Sequence, residues 1–308
     1  MKLLHIALIS VVFVGSFVLG FSYRAGQLGV KLYNIGDASS LPVLTKNNLF
    51  PILSAQGVLA LDSASNVTLY EKNADQELYP ASTTKIITAL TALDYYKSDD
   101  VLTAVDPYVD GQRMGLIKGE QMTFNNLING LLIYSANDAA VTLADNYPGG
   151  RDAFIAAMNA KAQALHLDHS HFANPIGLDD PAQVTTARDM VRVARVAMSN
   201  PVFAQIVGTK EKTVTDITGK LTYNIANVNK LLGSVDGVVG VKTGWTEGAR
   251  ENLVTEVNRN GHSVFIVVLG SQDRFGETTE MINWIFGSYT WQPVTFTQKA
   301  VGYLYGNK

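Results

Sequence analysis

The order of strand-like and helical patterns is the feature of this sequence that most restricts its fold. Residues 57–62 and 67–70 are apolar, strand-like segments around four turn residues, and they predict a β-hairpin. A second hairpin is predicted near the end of the chain, where 252–258 and 262–269 flank Asn260-Gly261. Helical periodicity fills the region between the two hairpins. Strands at both ends with helices between them predict an α+β layered domain with a helical insertion.

Apolar residues in the middle of the chain recur every three or four positions, which is the spacing of one helix face. Thr123 can cap one of these helices, and Asn200-Pro201 ends another because the residue before a proline avoids the helical conformation. The six predicted helices begin at about these residues: Ser82, Thr123, Asp138, Asp152, Thr186 and Glu277.

Composition excludes several functional classes. Of the 308 residues, 47% are hydrophobic and 17% are charged, so a largely disordered chain is excluded. The net charge of -3 provides no basic excess for phosphates, so we expect no nucleic-acid partner. The chain has no cysteine, which excludes disulfides, thiolate catalysis and cysteine-ligated metal centres.

An apolar segment at the N-terminus indicates export. Residues 3–21 are apolar apart from one histidine and two serines, with Lys2 before them and Arg24 after them. This run of 19 residues approaches the roughly 20 that a membrane helix needs, whereas the apolar core of a cleaved signal peptide has about 7–15. An uncleaved anchor and a cleaved signal peptide both stay open, and either places the rest of the chain outside the cytoplasm.

The first motif with catalytic chemistry is Ser82-Thr-Thr-Lys85, at the start of a predicted helix. The two end residues are one turn apart, so they share a helix face. A serine hydroxyl needs a base to become a nucleophile, and no histidine lies near it in sequence, so neutral Lys85 is the candidate. That role requires a lowered pKa, which burial, a second cation or the helix N-terminus would supply. Alone, the motif is weak evidence for catalysis, because it occurs by chance in many chains and a helix cap with a solvated lysine explains it.

Two further motifs extend this pattern. Ser135 and Asn137, at a predicted helix junction, are suited to relay a proton and to hold a substrate amide. Lys242 offers a cation, Thr243 a hydroxyl and Gly244 space for close backbone approach. Taken singly, these segments also fit an ordinary helix junction and a glycine-rich turn before an edge strand.

Together, and in this order, the three motifs are far more specific than any one of them. The chain resembles the serine-type D-alanyl-D-alanine carboxypeptidases, the low-molecular-mass penicillin-binding proteins of peptidase family S11, over about residues 57–287. Several neighbouring segments also carry the resemblance: PASTTKIITAL at 80–90, SANDAA at 135–140, FANPIGL at 172–178 and NKLLG at 229–233.

The resemblance implies a fold and a division of the chain. The expected fold is the β-lactamase/transpeptidase-like α+β fold, an antiparallel sheet flanked by helices with a helical subdomain. The expected parts are an N-terminal signal peptide or membrane anchor (1–22), a linker (23–53), a D,D-peptidase catalytic domain (54–288) and a short C-terminal tail (289–308). The location is extracytoplasmic, either anchored to the membrane through the N-terminal helix or secreted to the cell wall.

The resemblance also implies an activity. Such enzymes remove the terminal D-Ala from peptidoglycan stem pentapeptides through an acyl-enzyme, and β-lactam antibiotics inhibit them covalently. Ser82 would be the acylated nucleophile and Lys85 its proton acceptor, with Ser135 and Asn137 as the second catalytic element. No cofactor and no metal are expected.

Residues on the third motif are expected to bind the substrate. Lys242 and Thr243 would bind the terminal carboxylate, and the backbone N–H groups of Ser82 and Trp245 would form the oxyanion hole. Gly244 completes the predicted substrate-binding set. Arg250 departs from the family, which commonly has a small residue there, and this affects the expected substrate preference more than the activity.

Three alternative functions stay open. A D,D-endopeptidase acting on cross-linked peptidoglycan would use the same residues. A class A β-lactamase would need a deacylating glutamate between the second and third motifs, where Glu211, in a charged run, is the only glutamate. A non-catalytic wall-binding protein would be expected to lack Ser82 or Lys85. We interpret His166, His169 and His171 as loop histidines rather than zinc ligands.

Overall fold

The computed structural model describes residues 40–46 and 48–294. The strands are β1 (Ser40–Leu44), β2 (Gly57–Asp62), β3 (Thr68–Lys72), β4 (Val101–Thr103), β5 (Gln121–Thr123), β6 (Glu211–Thr215), β7 (Thr222–Ala226), β8 (Val238–Thr246), β9 (Arg250–Arg259), β10 (His262–Ser271) and β11 (Tyr289–Pro293). The helices are α1 (Lys85–Tyr95), α2 (Phe124–Ile133), α3 (Asn137–Asp145), α4 (Gly150–Ala164), α5 (Ala187–Ser199), α6 (Pro201–Val207) and α7 (Arg274–Ser288).

A five-stranded antiparallel sheet is the centre of the fold, with the strand order β3-β2-β10-β9-β8. Strand β10 is buried on both faces because helices cover both sides of the sheet. Phe265, Val267 and Leu269 join the core that the sheet shares with α1 to α6. Val264 and Ile266, which point the other way, pack in the core that contains α7. The two-residue period of the strand therefore divides the apolar side chains between two layers.

Helices α2 to α5 pack around α1, whose residues from Lys85 to Ala92 are all buried. Two of these helices, α2 and α5, begin with side-chain caps. The Thr123 hydroxyl accepts a hydrogen bond from Asn126 N at 3.3 Å, and the Thr186 hydroxyl accepts one from Asp189 N at 3.1 Å. These bonds satisfy backbone donors that would otherwise lack partners in the first turn of each helix.

Most predicted elements are present, with shifted ends. The two hairpins are observed as β2–β3 and β9–β10. A 3-10 turn, Ala81–Thr84, precedes the first helix, and the last helix begins at Arg274 rather than near Glu277. Asn200 ends α5 as predicted, but its side chain also accepts hydrogen bonds from the first residues of α6.

The hairpin β6–β7 is absent from the sequence-based prediction, which interpreted residues 210–212 as a solvated charged run. Strand β6 buries Val214 and β7 buries Ile225, while most of their other residues are exposed. One buried apolar residue in each strand gives too little alternation to signal a strand.

Strands β1 and β11 pair with each other, so the predicted linker and the predicted tail each contribute a strand. Trp291 on β11 donates from Nε1 to Asp62 Oδ2 at 2.7 Å, which ties this pair to the main sheet. The apolar run at residues 3–21 lies outside the described residues. Within residues 40–46 and 48–294, no helix has the length and apolarity needed to cross a membrane. The division of the chain into domains stays a prediction.

Asn252 provides a test of how the sheet holds the segment before Ser82. Its buried side chain donates to Tyr79 O at 2.9 Å and Pro80 O at 3.0 Å, and accepts from Gly270 N at 2.8 Å. Asn252→Ala leaves these buried groups unpaired, so we expect the free energy of unfolding to fall by about 2–4 kcal/mol in denaturant titrations.

The matched control is Asn258→Ala, at an exposed position on the same strand. Its free energy of unfolding should change by less than about 0.5 kcal/mol. Equal losses in the two variants would show that the Asn252 side chain does not support the fold in this way.

Candidate active site

Ser82 lies on the 3-10 turn that leads into α1. Its neighbours Ala81, Thr83 and Thr84 are buried, whereas Ser82 itself is partly exposed. Ala81 adopts a positive φ of 48°, and the Thr83 hydroxyl donates to Pro80 O at 2.6 Å. The buried turn thus presents a single hydroxyl towards the accessible side.

The Lys85 side chain is fully buried, and its amine has three oxygen partners. Nζ lies 2.9 Å from Ser82 Oγ, 2.6 Å from Asn137 Oδ1 and 2.6 Å from Ile176 O. Burial and the nearby positive charge of Lys242 lower the pKa of Lys85 well below its ordinary value. A neutral amine has two hydrogens and one lone pair. It can therefore donate to Asn137 and Ile176 while accepting the Ser82 proton.

A second lysine lies beside this network. Lys242 Nζ donates to Ser135 Oγ at 2.8 Å and to Thr243 O at 3.0 Å. Ser135 occupies the junction of α2 and α3 with a positive φ of 60°. Burial, and secondarily the positive charge of Arg274, lower the pKa of Lys242 to about 7. Its charge state therefore changes near neutral pH.

Strand β8 carries the third motif along the edge of the main sheet. A Cβ added at Gly244 would lie 3.0 Å from Ser82 N, 3.0 Å from Ala81 Cβ and 3.1 Å from Pro80 O. The absence of a side chain therefore lets the strand approach the Ser82 turn. Trp245, the next residue, is 63% exposed.

The structure thus brings together residues from all three predicted motifs. Ser82, Lys85 and Asn137 form one hydrogen-bonded network, and Ser135 and Lys242 form a second. Thr243 and Trp245 lie on the same edge strand as Lys242. The catalytic and binding roles predicted for these residues remain proposals.

The sequence-based prediction missed the segment 174–178 as part of this site. Asn174 Oδ1 accepts from the backbone N–H groups of Ile176, Gly177 and Leu178, which fixes the turn whose carbonyl faces Lys85. Gly177 has a φ of 90°, and a Cβ there would lie 1.9 Å from Ala81 O. The signal in the sequence was a glycine two residues after a proline, which indicates a turn but not what the turn contacts.

Arg274 is a further functional candidate, although it was not among the predicted site residues. Its Nη1 donates to Gly244 O at 2.8 Å, and Glu251 Oε2 accepts from its backbone N at 2.9 Å. Its Nε is buried and has no hydrogen-bond partner within the described part of the chain. Arg274 therefore places a second cation next to Lys242.

The predicted loop histidines lie outside this network. His171 Nδ1 is 2.8 Å from Ala182 O, and His169 Nδ1 is 3.8 Å from Glu77 Oε1. Among residues 40–46 and 48–294, no group of three or more potential metal ligands is close enough to bind an ion. Arg250 begins β9 with a φ of 61°.

Comparison with known proteins agrees with this arrangement. The family described as D-alanyl-D-alanine carboxypeptidase, Peptidase_S11, matches residues 45–273. The chain belongs to this family. It is 32% identical over 250 residues to the D-alanyl-D-alanine carboxypeptidase DacF of Bacillus subtilis. The aligned region covers 78% of this chain and 64% of that relative. The chain therefore spans about two thirds of the length of DacF.

Two other similarities bear on the function. The crystal structure of the Streptomyces K15 DD-transpeptidase matches with a TM-score of 0.74 and 34% identity, over 78% of this chain and 100% of that one. A Pseudomonas aeruginosa relative named D-alanyl-D-alanine endopeptidase is 32% identical over 241 residues, which is 76% of this chain and 77% of the relative. The predictions of the S11 family and of the transpeptidase-like α+β fold are confirmed.

Gly244 provides a test of the close approach between β8 and the Ser82 turn. In Gly244→Ala, the new methyl group would press on backbone atoms of that turn, which can move only by displacing Ser82. We expect acylation by benzylpenicillin to slow by roughly 10–100-fold, as measured by the rate of adduct formation.

Gly287→Ala is the control, because a Cβ there meets only Asn48 Nδ2, at 3.9 Å. Its acylation rate should stay within about twofold of the parent. Normal acylation of Gly244→Ala would show that the contact is not needed.

Proposed function

We propose that this protein is a serine-type D-Ala-D-Ala carboxypeptidase that removes the terminal D-Ala from peptidoglycan stem pentapeptides. The observation that supports this most is the contact between the Ser82 hydroxyl and the buried Lys85 amine, whose pKa is lowered. A serine next to a neutral amine has both the nucleophile and the base that acyl transfer needs. Family membership supports the substrate class.

Acylation would begin with transfer of the Ser82 proton to neutral Lys85. Ser82 Oγ then attacks the carbonyl carbon of the penultimate D-Ala, and the carbonyl oxygen becomes an oxyanion. The backbone N–H groups of Ser82 and Trp245 are the proposed donors to that oxyanion, and a donor of this kind contributes about 10²–10³ in rate. Asn137 holds the lysine amine through Oδ1 and keeps it directed at Ser82.

Departure of the terminal D-Ala requires a proton on its nitrogen. The Ser135 hydroxyl, which accepts from Lys242, is the proposed relay for the proton that Lys85 has taken. The C–N bond breaks, D-Ala leaves with a neutral amine, and Ser82 stays esterified. Lys85, neutral again, would then take a proton from a water molecule that attacks the ester. It would return that proton to Ser82 Oγ as the ester bond breaks, which releases the shortened peptide and restores both residues.

The cations beside Ser82 suit a substrate with a free carboxylate. Lys242 and Thr243 would bind the C-terminal carboxylate. Arg274, which donates to Gly244 O, adds positive charge on the same side. A peptide without a free C-terminus would leave these buried cations without a counter-charge. The site therefore favours cleavage at the end of a stem peptide.

The direct test is the mass of the intact protein after addition of benzylpenicillin. The β-lactam amide mimics the scissile bond, so we expect one drug-sized adduct, and release of D-Ala from a pentapeptide in a separate assay. Ser82→Ala should show neither, because it removes the attacking oxygen. An adduct that persists in Ser82→Ala would place the nucleophile elsewhere.

The dependence of kcat/KM on pH should reflect both lysines. Lys242, with a pKa of about 7, is charged below that pH and neutral above it. Because carboxylate binding needs the charge, we expect kcat/KM for the pentapeptide to fall as the pH rises above about 7. On the acid side, kcat/KM should fall because Lys85 becomes protonated and can no longer accept the Ser82 proton.

The control for this pH profile is Lys242→Arg, which stays charged over the whole range. It should lose the decline on the alkaline side even if its maximum rate is lower. A parent profile that is flat from pH 7 to 9, or an unchanged decline in Lys242→Arg, would contradict the role of Lys242.

A D,D-endopeptidase is the second candidate, supported by the similarity to the Pseudomonas aeruginosa endopeptidase. Cross-linked muropeptide dimers and monomeric pentapeptides distinguish the two activities. Preferential release of D-Ala from pentapeptides supports the carboxypeptidase, and preferential cleavage of dimers supports the endopeptidase. A class A β-lactamase is less well supported, since Glu211 lies on the outer hairpin strand β6 and is exposed.

An extracytoplasmic location follows from the substrate, which is part of the cell wall. The proposed partners are the D-Ala-D-Ala stem peptide, β-lactams as covalent inhibitors, and the membrane if the N-terminal apolar segment is retained. Separation of membranes from soluble material, with intact mass of the purified chain, would show whether residues 1–22 are cleaved.

A further inference from the structure

Asp138, the residue after Asn137, has no cationic hydrogen-bond partner in the described part of the chain, although its side chain is only 1% exposed. Its carboxylate instead accepts from three consecutive backbone N–H groups. The distances are 3.1 Å to Met114, 2.7 Å to Gly115 and 3.0 Å to Leu116. A fourth donor is the backbone N of Ala139, at 3.0 Å. Converging N–H groups of this kind stabilise a buried negative charge.

The three donors belong to the loop that joins β4 to β5, and Asn137 holds the same loop. Asn137 N donates to Gln112 O at 2.7 Å, and its Nδ2 donates to Asp110 O at 2.5 Å. Five hydrogen bonds therefore connect residues 110–116 to two adjacent residues at the start of α3. The remaining atom of the Asn137 amide, Oδ1, faces Lys85 Nζ.

These contacts form a chain from the loop to the proposed base. If the loop shifts, Asp110 O moves, and the Asn137 amide must rotate or lose that bond. Rotation of the amide moves Oδ1 away from Lys85. We infer that Asp138 is a positioning residue for acylation: by fixing the backbone of residues 114–116 it holds the loop that orients Asn137, and so directs Lys85 at Ser82. This inference rests on the proposed acylation of Ser82.

The charge of Asp138 gives this role a second signature. The charged side chains that act on the Lys85 amine are Lys242 on β8, which lowers its pKa, and Asp138 on α3, which raises it. Arg274 on α7 acts on Lys242. The direct partners of the amine, on the Ser82 turn, α3 and the 174–178 segment, are neutral. Removal of the Asp138 charge therefore lowers the pKa of Lys85 further.

The principal variant is Asp138→Asn in the full chain. It keeps the size of the side chain but removes the charge and turns an NH2 group towards backbone donors. We expect acylation by benzylpenicillin to slow by roughly 10–100-fold. We also expect the acid limb of the acylation rate to move to lower pH, because Lys85 loses its proton at lower pH. Trypsin should cleave faster after Arg113, which is exposed on the loop.

Three further variants separate charge from position. Asp138→Glu keeps the charge but adds a methylene, so it should be slow with the acid limb of the parent. Gly111→Ala displaces the Asn137 amide from the other side, since a Cβ there would lie 2.7 Å from Asn137 Nδ2, and it should also slow acylation without moving the acid limb. Asp145→Asn, on the same helix and paired with Arg151, should match the parent in all three measurements.

The outcomes are distinct. Acylation of Asp138→Asn within about twofold of the parent would overturn the inference, and so would slow acylation with an unmoved acid limb and unchanged cleavage after Arg113. If Asp138→Asn does not fold, the decision passes to Asp138→Glu and Gly111→Ala, and parent-like rates in both would overturn it. Failure of the proposed function looks different, because the folded parent itself would form no adduct, while tryptic cleavage would still report on the loop.

Discussion

A buried lysine amine next to a serine hydroxyl is the constraint on which this structure depends. An ammonium ion removed from water is costly unless it is paired with a negative charge. Lys85 has three oxygen partners, none of them a carboxylate, and the cation that lowers its pKa is another lysine. The lowest-cost response is loss of the proton. The same burial that destabilises the charged form therefore makes the amine a base.

This arrangement exists only when distant segments pack together. Lys85 begins α1, its oxygen partners come from α3 and from the 174–178 turn, and Lys242 lies on the sheet edge. Residues up to 107 positions apart, about a third of the chain, must meet within hydrogen-bond distance. The sheet and the helices are thus parts of one site, and neither layer alone would create the electrostatic environment. Loss of the Asn252 bonds to Tyr79 O and Pro80 O would be transmitted to the chemistry through the Ser82 turn.

Much of the site was predictable because its motifs are local. The Ser82–Lys85 pair requires only one helical turn, and the lowered pKa of Lys85 follows from burial and a second cation, as the sequence suggested. The Ile176 carbonyl and Asp138 were missed because they depend on tertiary contacts that involve backbone atoms, which have no sequence signature. The α+β fold class could be predicted from the hairpins at both ends of the domain. The β6–β7 hairpin could not be predicted, because each of its strands buries too few residues to show alternation.

The pairing of β1 with β11 has a consequence for the connectivity of the fold. Because Ser40 lies opposite Pro293, the first and last strands of the described part of the chain lie within one strand spacing, about 5 Å. A short linker could join these two points, and new termini could then be opened at an exposed turn such as Thr218-Gly219. A circularly permuted chain could therefore build the same geometry around Ser82 with its elements in another order.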